Sequence, residues 1–501
     1  MTVQRKTIDS TLAASSDDLQ ALYTSLGAVT KYSLIVASDI TLTQNTTQTS
    51  NIHLEFRNGA KIVTSTYTYA CQGTHNDARW QLWDVSGGGG VTYTGMTVVR
   101  ALWFDDDIDD CLQSLPSTGA TMLLGLTTYG PTTAAYMKDN VSFIGERTPE
   151  INAGATALEN GTIIRGPFLF SHDNIKISNL GIDSGSDVVT NYHSGVSQDA
   201  LSTANVGQVV GRPTVKNLRI DNIVCLCDTY NSAVHAALIE NVEDCFFSNI
   251  RTRFGTHGLV IKGIRVVGNN CICEDHLTDG VIIKNNAYAV CYDVSLSSIM
   301  IMGTSQRTGG LQIDNNEGSS DLYSIAVSSI TFRYLTFGIS LVVGSNPTKE
   351  IRDVSIVGDT YEDVNTITYT TGDVDLASVS ATGNNISGTG SYTRIDSVMS
   401  VAGVLDIAGY MGLRTDIKLL NVTETDYDTF IHRSVAGGVV YADISNGGTW
   451  HTKHLTTDNT TTLHLVIGAY HLWVDSSGRL RIKNGYPGDL DTDGTIVGTQ
   501  S

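Results

Sequence analysis

The sequence predicts an all-β fold, a right-handed single-stranded parallel β-helix, on three observations. The first is a strand-length motif that recurs at intervals of 22 to 30 residues, a period typical of solenoids. The second is a further ladder of alternating apolar and polar residues in which each copy leads into Asn or Ser, residues that suit turns. The third is composition, since 49 glycines and only 16% charged residues are typical of all-β proteins with many turns.

The first motif lies between residues 234 and 344 and consists of four close copies and a looser fifth. They are 236–240, 258–262, 280–284, 310–314 and 338–342. Alternation directs Ala237 and Ile239, with their equivalents, toward the interior. An outward charged column then contains Glu240, Lys262, Lys284 and Asp314, beside an outward column of Leu238, Val260, Ile282 and Gln312. The charged column is interpreted as an ion-pair ladder or as a strip that binds sugar acids, and the apolar column is expected to be covered by a partner chain or a loop.

The second ladder supplies another strand for each coil. Its gap-free copies are 175–180, 218–223, 245–250, 294–299 and 325–330, and Asn270 fits with one residue slipped. Two strands and their turns in each 22 to 31 residues describe one coil, and neighbouring coils would stack about 4.8 Å apart. An α-helical solenoid is the alternative, but the repeats lack a 3.6-residue stripe.

Helices and irregular regions flank these coils. Residues 16–27 predict a short helix, and a second helix at about 105–115 has an apolar stripe behind an acidic first turn, which suits a lid on the open end of the β-helix. Residues 32–100 form the first coils or a separate β domain. The expected domains are an N-terminal helical or attachment segment at 1–30, a β region with the capping helix at 31–135, the β-helix at 136–365 and a C-terminal β-rich domain at 366–501.

Composition also restricts the partners of the chain. A formal net charge of −20 disfavours nucleic acid and anionic membranes. Without an 18-residue apolar run or an apolar N-terminal signal segment, no membrane insertion or secretory export is expected. The eight cysteines are interpreted as buried free thiols, with zinc or a disulfide as the alternative. No metal or cofactor is predicted.

The candidate chemistry lies in the turn before each repeated strand. His235, His257 and Asp279 are in register there, and adjacent coils would place His257 and Asp279 about 5 Å apart. A carboxylate beside an imidazole suits general acid–base catalysis. Strict alternation would bury these side chains, but the glycines at 258 and 280 permit a corner that turns them outward.

Neighbouring loops supply further candidates. The predicted catalytic residues are His257, Asp279, Glu274 and Asp228, and the predicted substrate-binding residues are Tyr192, His193, Tyr230, His235, Arg253 and Arg307. Paired acids among Asp228, Glu274 and Asp279 would suit hydrolysis. The interruption of the ladder at residues 183–213, which contains Tyr192 and His193, is interpreted as a glycan contact or as a disordered or interface loop. Hydrogen-bonded turn residues remain the alternative for the whole set.

Several segments resemble one known group of proteins. They are Phe-Arg-Asn-Gly-Ala-Lys-Ile at 56–62, Gln-Leu-Trp-Asp at 81–84, Trp-Phe at 103–104 and Val-Ser-Phe-Ile-Gly-Glu at 141–146. Separately, the segments 472–485 and 493–498 resemble the C-terminal segment of a tail protein. Over about residues 30–365 the order of parts resembles the pectate-lyase-like β-helix proteins used as phage tailspikes and tail fibres. The chain is expected to depart from that group in two respects. Aspartates replace the usual alanine-rich run of the second helix, and a long N-terminal virion-anchoring domain is lacking.

This resemblance implies a homotrimeric tail spike or fibre in the virion tail, made in the host cytoplasm and acting extracellularly. Such a protein binds, and in some cases depolymerises, a bacterial capsule or O-antigen polysaccharide. Its partners would be other virion tail or baseplate proteins, and its end domain would promote trimerisation or bind the host surface. The alternatives are a free polysaccharide lyase or glycoside hydrolase, and a non-catalytic receptor-binding adhesin.

Overall fold

The computed structural model describes most of the first 364 residues and parts of the remainder. The described residues are 4–8, 19–130, 139–151, 157–165, 168–169, 172–183, 201–202, 214–227, 235–285, 290–303, 309–316, 320–343, 350–362, 364, the strands between 366 and 467, 470–484 and 491–499. Parallel strands make up most of them, and the predicted parallel β-helix is confirmed.

Each complete coil has three strands, which we call faces A, B and C in chain order. The segment His235–Arg253 passes through all three, and it bends where Asn241 and Asn249 have a left-handed backbone, each with φ of 54°. The prediction of two strands per coil was wrong. The face C strands of the later coils, such as Ile272–Glu274, have three residues, which is too short for an alternating pattern to be visible in the sequence.

The strands from residue 98 onward pair in parallel with their equivalents in the next coil. They are Val98–Arg100, Thr121–Leu124, Thr128–Tyr129, Ser142–Gly145, Ile163–Arg165, Phe168–Leu169, Lys176–Asp183, Leu201–Ser202, Val215–Lys216, Arg219–Leu226, His235–Arg253, His257–Asn269, Ile272–Glu274, Asp279–Lys284, Tyr292–Ser297, Met300–Met302, Gly309–Asn315, Leu322–Ser328, Thr331–Arg333, Phe337–Val343, Ile351–Val357, Thr360–Glu362, Thr366–Thr371, Val379–Thr382, Asn385–Ser387, Arg394–Asp396 and Lys418–Leu420.

The N-terminal β region has the same architecture. Three short parallel sheets contain Gln4–Ile8, Tyr32–Val36, Ile52–Phe56 and Thr74–His75; Ile40–Thr41, Ile62–Val63 and Trp83–Asp84; and Thr46–Gln48, Thr68–Cys71 and Gly90–Tyr93. Each sheet takes one strand from each successive coil. The parallel pairing therefore supports the interpretation of this region as first coils.

In the residues that the structure describes, two α-helices lie among these coils. Helix α1, Leu19–Leu26, buries Leu19, Leu22 and Tyr23, and its Gln20 Oε1 accepts a hydrogen bond from Thr47 N–H at 2.6 Å. Helix α2, Ile108–Ser114, follows a 3₁₀ turn at Ala101–Phe104. The predicted lid role of α2 was wrong, because parallel coils precede it in the chain. Helix α1 instead caps a strand edge of the first coils.

Polar side chains form a ladder at the corner between faces B and C. Asn179, Asn222, Asn249 and Asn270 have φ values of 60°, 56°, 54° and 50°, and Asn222 Nδ2 donates to Asn179 Oδ1 at 2.9 Å. The left-handed positions predicted from the second ladder are therefore present. Asn tolerates this conformation better than most residues, and its amide satisfies the neighbouring coil.

The interior is apolar and contains the cysteines. All eight are free and buried, as the sequence predicted, and burial raises the pKa of the Cys273 thiol to about 12. On the outside of face A, Leu238, Val260 and Ile282 form a second buried cluster, so burying this column does not require a partner chain. Beside it, Lys262 Nζ lies 3.2 Å from Glu240 Oε1, which supports the ion-pair interpretation of the charged column.

A short segment, residues 146–151, runs along the coil axis, and we call it the axial strap. Thr148 Oγ1 donates to the carbonyl oxygen of Asn222 at 3.1 Å. Farther along, Arg251 Nη1 lies 3.5 Å from the carbonyl oxygen of Ile151. The strap starts after the strand Ser142–Gly145 and so reaches two and three coils beyond its own.

An antiparallel sheet ends the chain. Its strands are Phe430–Arg433, Val440–Ile444, Trp450–Thr452, Leu465–Ile467, Tyr470–Val474, Arg479–Asn484 and Thr495–Thr499. Parallel pairing continues as far as Lys418–Leu420. The change to antiparallel pairing therefore lies C-terminal to residue 366, the residue at which the sequence placed the start of the C-terminal domain. Within the described part of the chain, no helix has the length and apolarity needed to cross a membrane.

Candidate functional site

Three predicted site residues stack on successive coils where the face A strands begin. His235 pairs in register with His257, and His257 with Asp279. The Nδ1 atoms of the two histidines are 2.9 Å apart, and His257 Nε2 lies 3.6 Å from Asp279 Oδ2. The structure thus forms a continuous row of titratable groups across three coils.

Glycines behind this row make its orientation possible. A Cβ atom at Gly258 would lie 2.5 Å from the buried His276 Nε2, and one at Gly280 would lie 2.2 Å from Ile301 Cγ2. The interior is therefore already filled at both positions, and the side chains of the preceding residues turn away from it. Neither glycine has a positive φ, so lack of space, rather than backbone freedom, requires glycine here.

A third glycine makes room for the carboxyl group. Gly309 follows Asp279 in the same column, and a Cβ atom there would lie 2.4 Å from Asp279 Oδ1. Any side chain at this position would push the carboxyl group away from its present place. The Phe337 ring, from the next strand of the column, lies over the same glycine, since that Cβ atom would also be 2.2 Å from Phe337 Cζ.

Burial controls protonation in the row. The His257 side chain is 19% exposed and that of Asp279 is 7% exposed. Burial, with a contribution from the charge of Asp314, raises the pKa of Asp279 to about 7. Burial, with the charges of His235 and Lys284 next, lowers the pKa of His257 to about 2. At 3.6 Å His257 Nε2 and Asp279 Oδ2 are beyond hydrogen-bonding distance, so attraction between these side chains does not cancel the effect of burial on either pKa.

At neutral pH the row therefore contains a neutral imidazole and a carboxyl that is about half protonated. The contact between the two Nδ1 atoms requires one imidazole to donate and the other to accept. If His257 donates from Nδ1, its Nε2 has a lone pair directed toward the Asp279 side. This arrangement can remove a proton with one group and supply a proton with the other.

Glu274 and Arg253, also predicted site residues, are engaged in ion pairs on face C. Arg251 Nε and Nη2 donate to the two carboxylate oxygens of Glu274, each at 3.0 Å. Arg253 Nη2 donates to Asp275 Oδ2 at 3.3 Å, and its guanidinium lies over the Phe254 ring. A carboxylate fixed by a guanidinium is a poor proton donor, so Glu274 does not suit the predicted acid role.

The remaining predicted residues cannot be placed. Asp228, Tyr192, His193, Tyr230 and Arg307 lie outside the described residues. In the described part of the chain, no group of three or more His, Cys, Asp or Glu residues could hold a metal ion.

Two residues to which the sequence assigned no role shape the site. His276 lies inside the turn, 2% exposed, with Nδ1 at 2.6 Å from the carbonyl oxygen of Phe254, and burial lowers its pKa to about 4. Arg251 fixes Glu274 and reaches the axial strap. A signal for Arg251 was present, because two arginines two residues apart are followed by two adjacent acids one coil later.

An open groove of about 450 Å³ lies elsewhere, beside the start of the axial strap. It is lined by Leu126, Thr127, Thr128, Arg147, Leu158, Glu159, Asn160, Gly161 and Ile163. None of the predicted site residues lines it.

Comparison with known proteins gave one family match and several structural similarities. A family model described as capsule depolymerase matches residues 357–499. No curated protein matches.

Three similar solved structures have low sequence identity to this chain. The A-module of mannuronan C-5 epimerase from Azotobacter vinelandii has 13% identity and a TM-score of 0.32, and the match covers 64% of this chain and 93% of that chain. The tailspike receptor-binding domain of Siphovirus 9NA has 11% identity and a TM-score of 0.25, with 98% and 97% covered. The receptor-binding protein of bacteriophage Det7, a podoviral tailspike in a myovirus, has 9% identity and a TM-score of 0.20, with 96% and 97% covered.

Proposed function

We propose that this chain is a phage tail spike or tail fibre protein that binds and depolymerises a bacterial surface polysaccharide. The match of residues 357–499 to the capsule depolymerase family model is the observation that carries this proposal. The resemblance of the N-terminal segments to phage β-helix proteins supports it independently, because those segments lie outside the matched range.

The proposal extends to assembly and location. The protein would act as a homotrimer attached to other virion tail or baseplate proteins, would be made in the host cytoplasm and would act outside the cell. The C-terminal β-rich region would promote trimerisation or bind the host surface, and the β-helix would contain the chemistry.

The acid–base row on face A supports an enzymatic role. A general acid is most effective when its pKa lies near the operating pH, and burial gives Asp279 a pKa of about 7. The neighbouring imidazole of His257 is neutral over the same pH range because burial lowers its pKa. A proton donor and a proton acceptor side by side suit proton transfer to and from a bound sugar.

One observation favours the alternative of a non-catalytic adhesin. The Asp279 side chain is only 7% exposed, so a sugar can reach little of the carboxyl unless the neighbouring chain moves. Binding of a polysaccharide without any change in its length would identify this second function.

The test uses the full chain and a panel of purified capsular and O-antigen polysaccharides of known repeat. Binding is measured directly, and cleavage is measured from polymer size and new reducing ends. We expect one polymer to be bound and shortened, and D279N to lose cleavage while it keeps binding. D359N is the matched control, because Asp359 is another buried carboxyl whose pKa burial raises to about 7, and its Oδ1 accepts from Ile330 N–H at 2.8 Å.

Two results would count against the proposal. If no polysaccharide is bound, the receptor-binding role is wrong, and if D279N cleaves as fast as the wild type, the site is elsewhere. Sedimentation tests the assembly separately, since a stable, active monomer of 53.7 kDa would contradict the homotrimer.

A further inference from the structure

The two groups that can move protons here lie on the same side of any sugar that contacts them. His257 Nε2 and Asp279 Oδ2 are 3.6 Å apart on adjacent strands of one face. The carboxyl groups of glycoside hydrolases are about 5–5.5 Å apart in retaining enzymes and about 6.5–9.5 Å apart in inverting enzymes. The present pair is too close to flank a glycosidic bond from two sides.

The described acids around the pair do not supply the second carboxylate that such hydrolysis uses. Glu274 is held by Arg251, Asp275 by Arg253 and Glu240 by Lys262. These contacts keep each of the three carboxylates directed at a guanidinium or an ammonium group. Asp314 is in register with Lys284 and adds to the charge that Asp279 experiences.

Base function then falls to the imidazole of His257, whose pKa is low in the free protein and would be raised by a uronate carboxylate bound beside it. The 2.9 Å contact between the Nδ1 atoms of His257 and His235 accommodates a hydrogen on His257 Nδ1. His235 then accepts that hydrogen bond, and the lone pair of His257 lies on Nε2. In this arrangement His235 is a positioning residue, because it selects the tautomer of His257 without contacting the sugar.

We infer that this row catalyses a syn β-elimination on a uronate residue of the polysaccharide. His257 is the base and Asp279 is the acid, and the inference rests on the proposed function. The substrate class is a polymer with 4-linked uronate whose C5–H and C4–O4 bonds lie on the same face of the ring. Glucuronate and mannuronate have this configuration, whereas galacturonate and guluronate have the two bonds on opposite faces.

The elimination step balances without water, metal or oxidant. His257 Nε2 takes the proton from C5, the electrons of the C5–H bond form the C4–C5 double bond, and the C4–O4 bond breaks. The departing O4 takes the proton of the Asp279 carboxyl group. The imidazolium Nε2–H then returns a proton to the Asp279 carboxylate, through one water or once the side chains close the 3.6 Å gap, which restores both groups.

Two cations near the base suit an anionic sugar. Lys284 and Lys262 contribute to lowering the pKa of His257 through their charges, while Glu240 pairs with Lys262 and Asp314 is in register with Lys284. A uronate carboxylate beside these cations would be attracted to them, and the negative charge that develops on it as the C5 proton leaves would be stabilised.

The test examines the product rather than the rate alone. The full chain is incubated, in water enriched in heavy oxygen, with hyaluronan, polymannuronate, polygalacturonate, polyguluronate and capsular polysaccharides of known repeat. We expect cleavage only of polymers with 4-linked glucuronate or mannuronate. The new non-reducing ends should absorb as unsaturated uronates. The new reducing ends, reduced to alditols at once so that the anomeric oxygen does not exchange with water, should contain no heavy oxygen.

Variants assign the roles within the row. H257Q and D279N should each lose about 10²- to 10⁴-fold in turnover, while D359N and H75Q keep wild-type turnover. His75 is the matched control for His257, because it is a buried histidine in the N-terminal coils whose pKa burial lowers to about 4. H235Q should lower kcat and shift the pH–rate profile with little change in KM, which a purely structural role would not produce.

The outcomes separate this inference from the proposed function. Heavy oxygen in the new ends, or cleavage of polygalacturonate or polyguluronate, would overturn the inference and leave the depolymerase proposal standing. Binding without cleavage would overturn the inference and leave the receptor-binding role. If none of the polymers is bound or cleaved, both are rejected.

Discussion

Replacing Asp279 with asparagine should stabilise the fold at neutral pH while it lowers turnover by about 10²- to 10⁴-fold. Burial raises the pKa of this carboxyl from its ordinary 3.8 to about 7. The folded chain therefore binds more protons than the unfolded chain between these two pH values. The contribution of Asp279 to the free energy of unfolding is fully present below about pH 4 and is lost as pH rises to about 7. A shift of this size corresponds to about 4 kcal/mol of unfolding free energy above pH 7. The neutral amide of D279N carries no such cost.

The assay compares the melting temperatures of the wild type and D279N between about pH 4 and pH 8. Because a long solenoid need not unfold in one step, hydrogen exchange in the strand Asp279–Lys284 measures the local effect. The difference should be near zero at the acidic end and should favour D279N increasingly as pH rises. D359N should show the same pH dependence, since burial also raises the pKa of Asp359 to about 7, but it should keep turnover.

Two results would refute this reasoning. A stability difference that is constant with pH, or that grows on acidification, would mean that the folded protein stabilises the ionised carboxylate of Asp279. A stabilised D279N variant with full turnover would separate the buried carboxyl from catalysis.

The remaining predictions concern packing, corner geometry and the second acid. Gly258→Ala should cost about 1–3 kcal/mol of stability, because its Cβ would overlap His276. The control is Gly90→Ala, where nothing lies within 4 Å of the added Cβ, and Gly258→Ala should melt at a lower temperature than this control. Asn222→Ala should cost about 1–2 kcal/mol in denaturant titrations through its left-handed backbone, and Asn222→Gly, which accepts that backbone, should lose less; equal losses would contradict a conformational cause. Glu274→Gln should leave turnover unchanged because Arg251 already holds this carboxylate, and a loss as large as that of D279N would restore Glu274 as a catalytic acid.

The repeated motifs predicted the fold well where strands were long enough to alternate. The register of His235, His257 and Asp279 follows from aligning copies in the sequence, and the left-handed corners follow from Asn and Ser. The third strand of each coil could not be found from the sequence, because a strand of three residues is too short to show alternation of apolar and polar side chains. The lid assignment of α2 failed since an amphipathic stripe shows that a helix packs, but not which coils precede it.

The candidate site was only partly predictable for a related reason. Register alone places His257 beside Asp279, but the depth of Asp279 depends on Gly309 and on other residues distant in sequence. The pairing of Glu274 with Arg251 depends on a strand that sequence reasoning did not recognise. Burial and pairing decide the protonation states, so the roles could not be assigned before the coils were assembled.

The axial strap has a consequence for how the chain folds. Coils of a solenoid contact mainly their neighbours, so folding can begin anywhere and spread one coil at a time. The strap instead joins residues 74 and 100 positions apart in the chain, through Thr148 with Asn222 and Ile151 with Arg251. These contacts close only after the intervening coils exist, so they form late and act mainly by slowing unfolding. The strap thus converts a row of locally stable coils into a segment that resists unravelling from its N-terminal side.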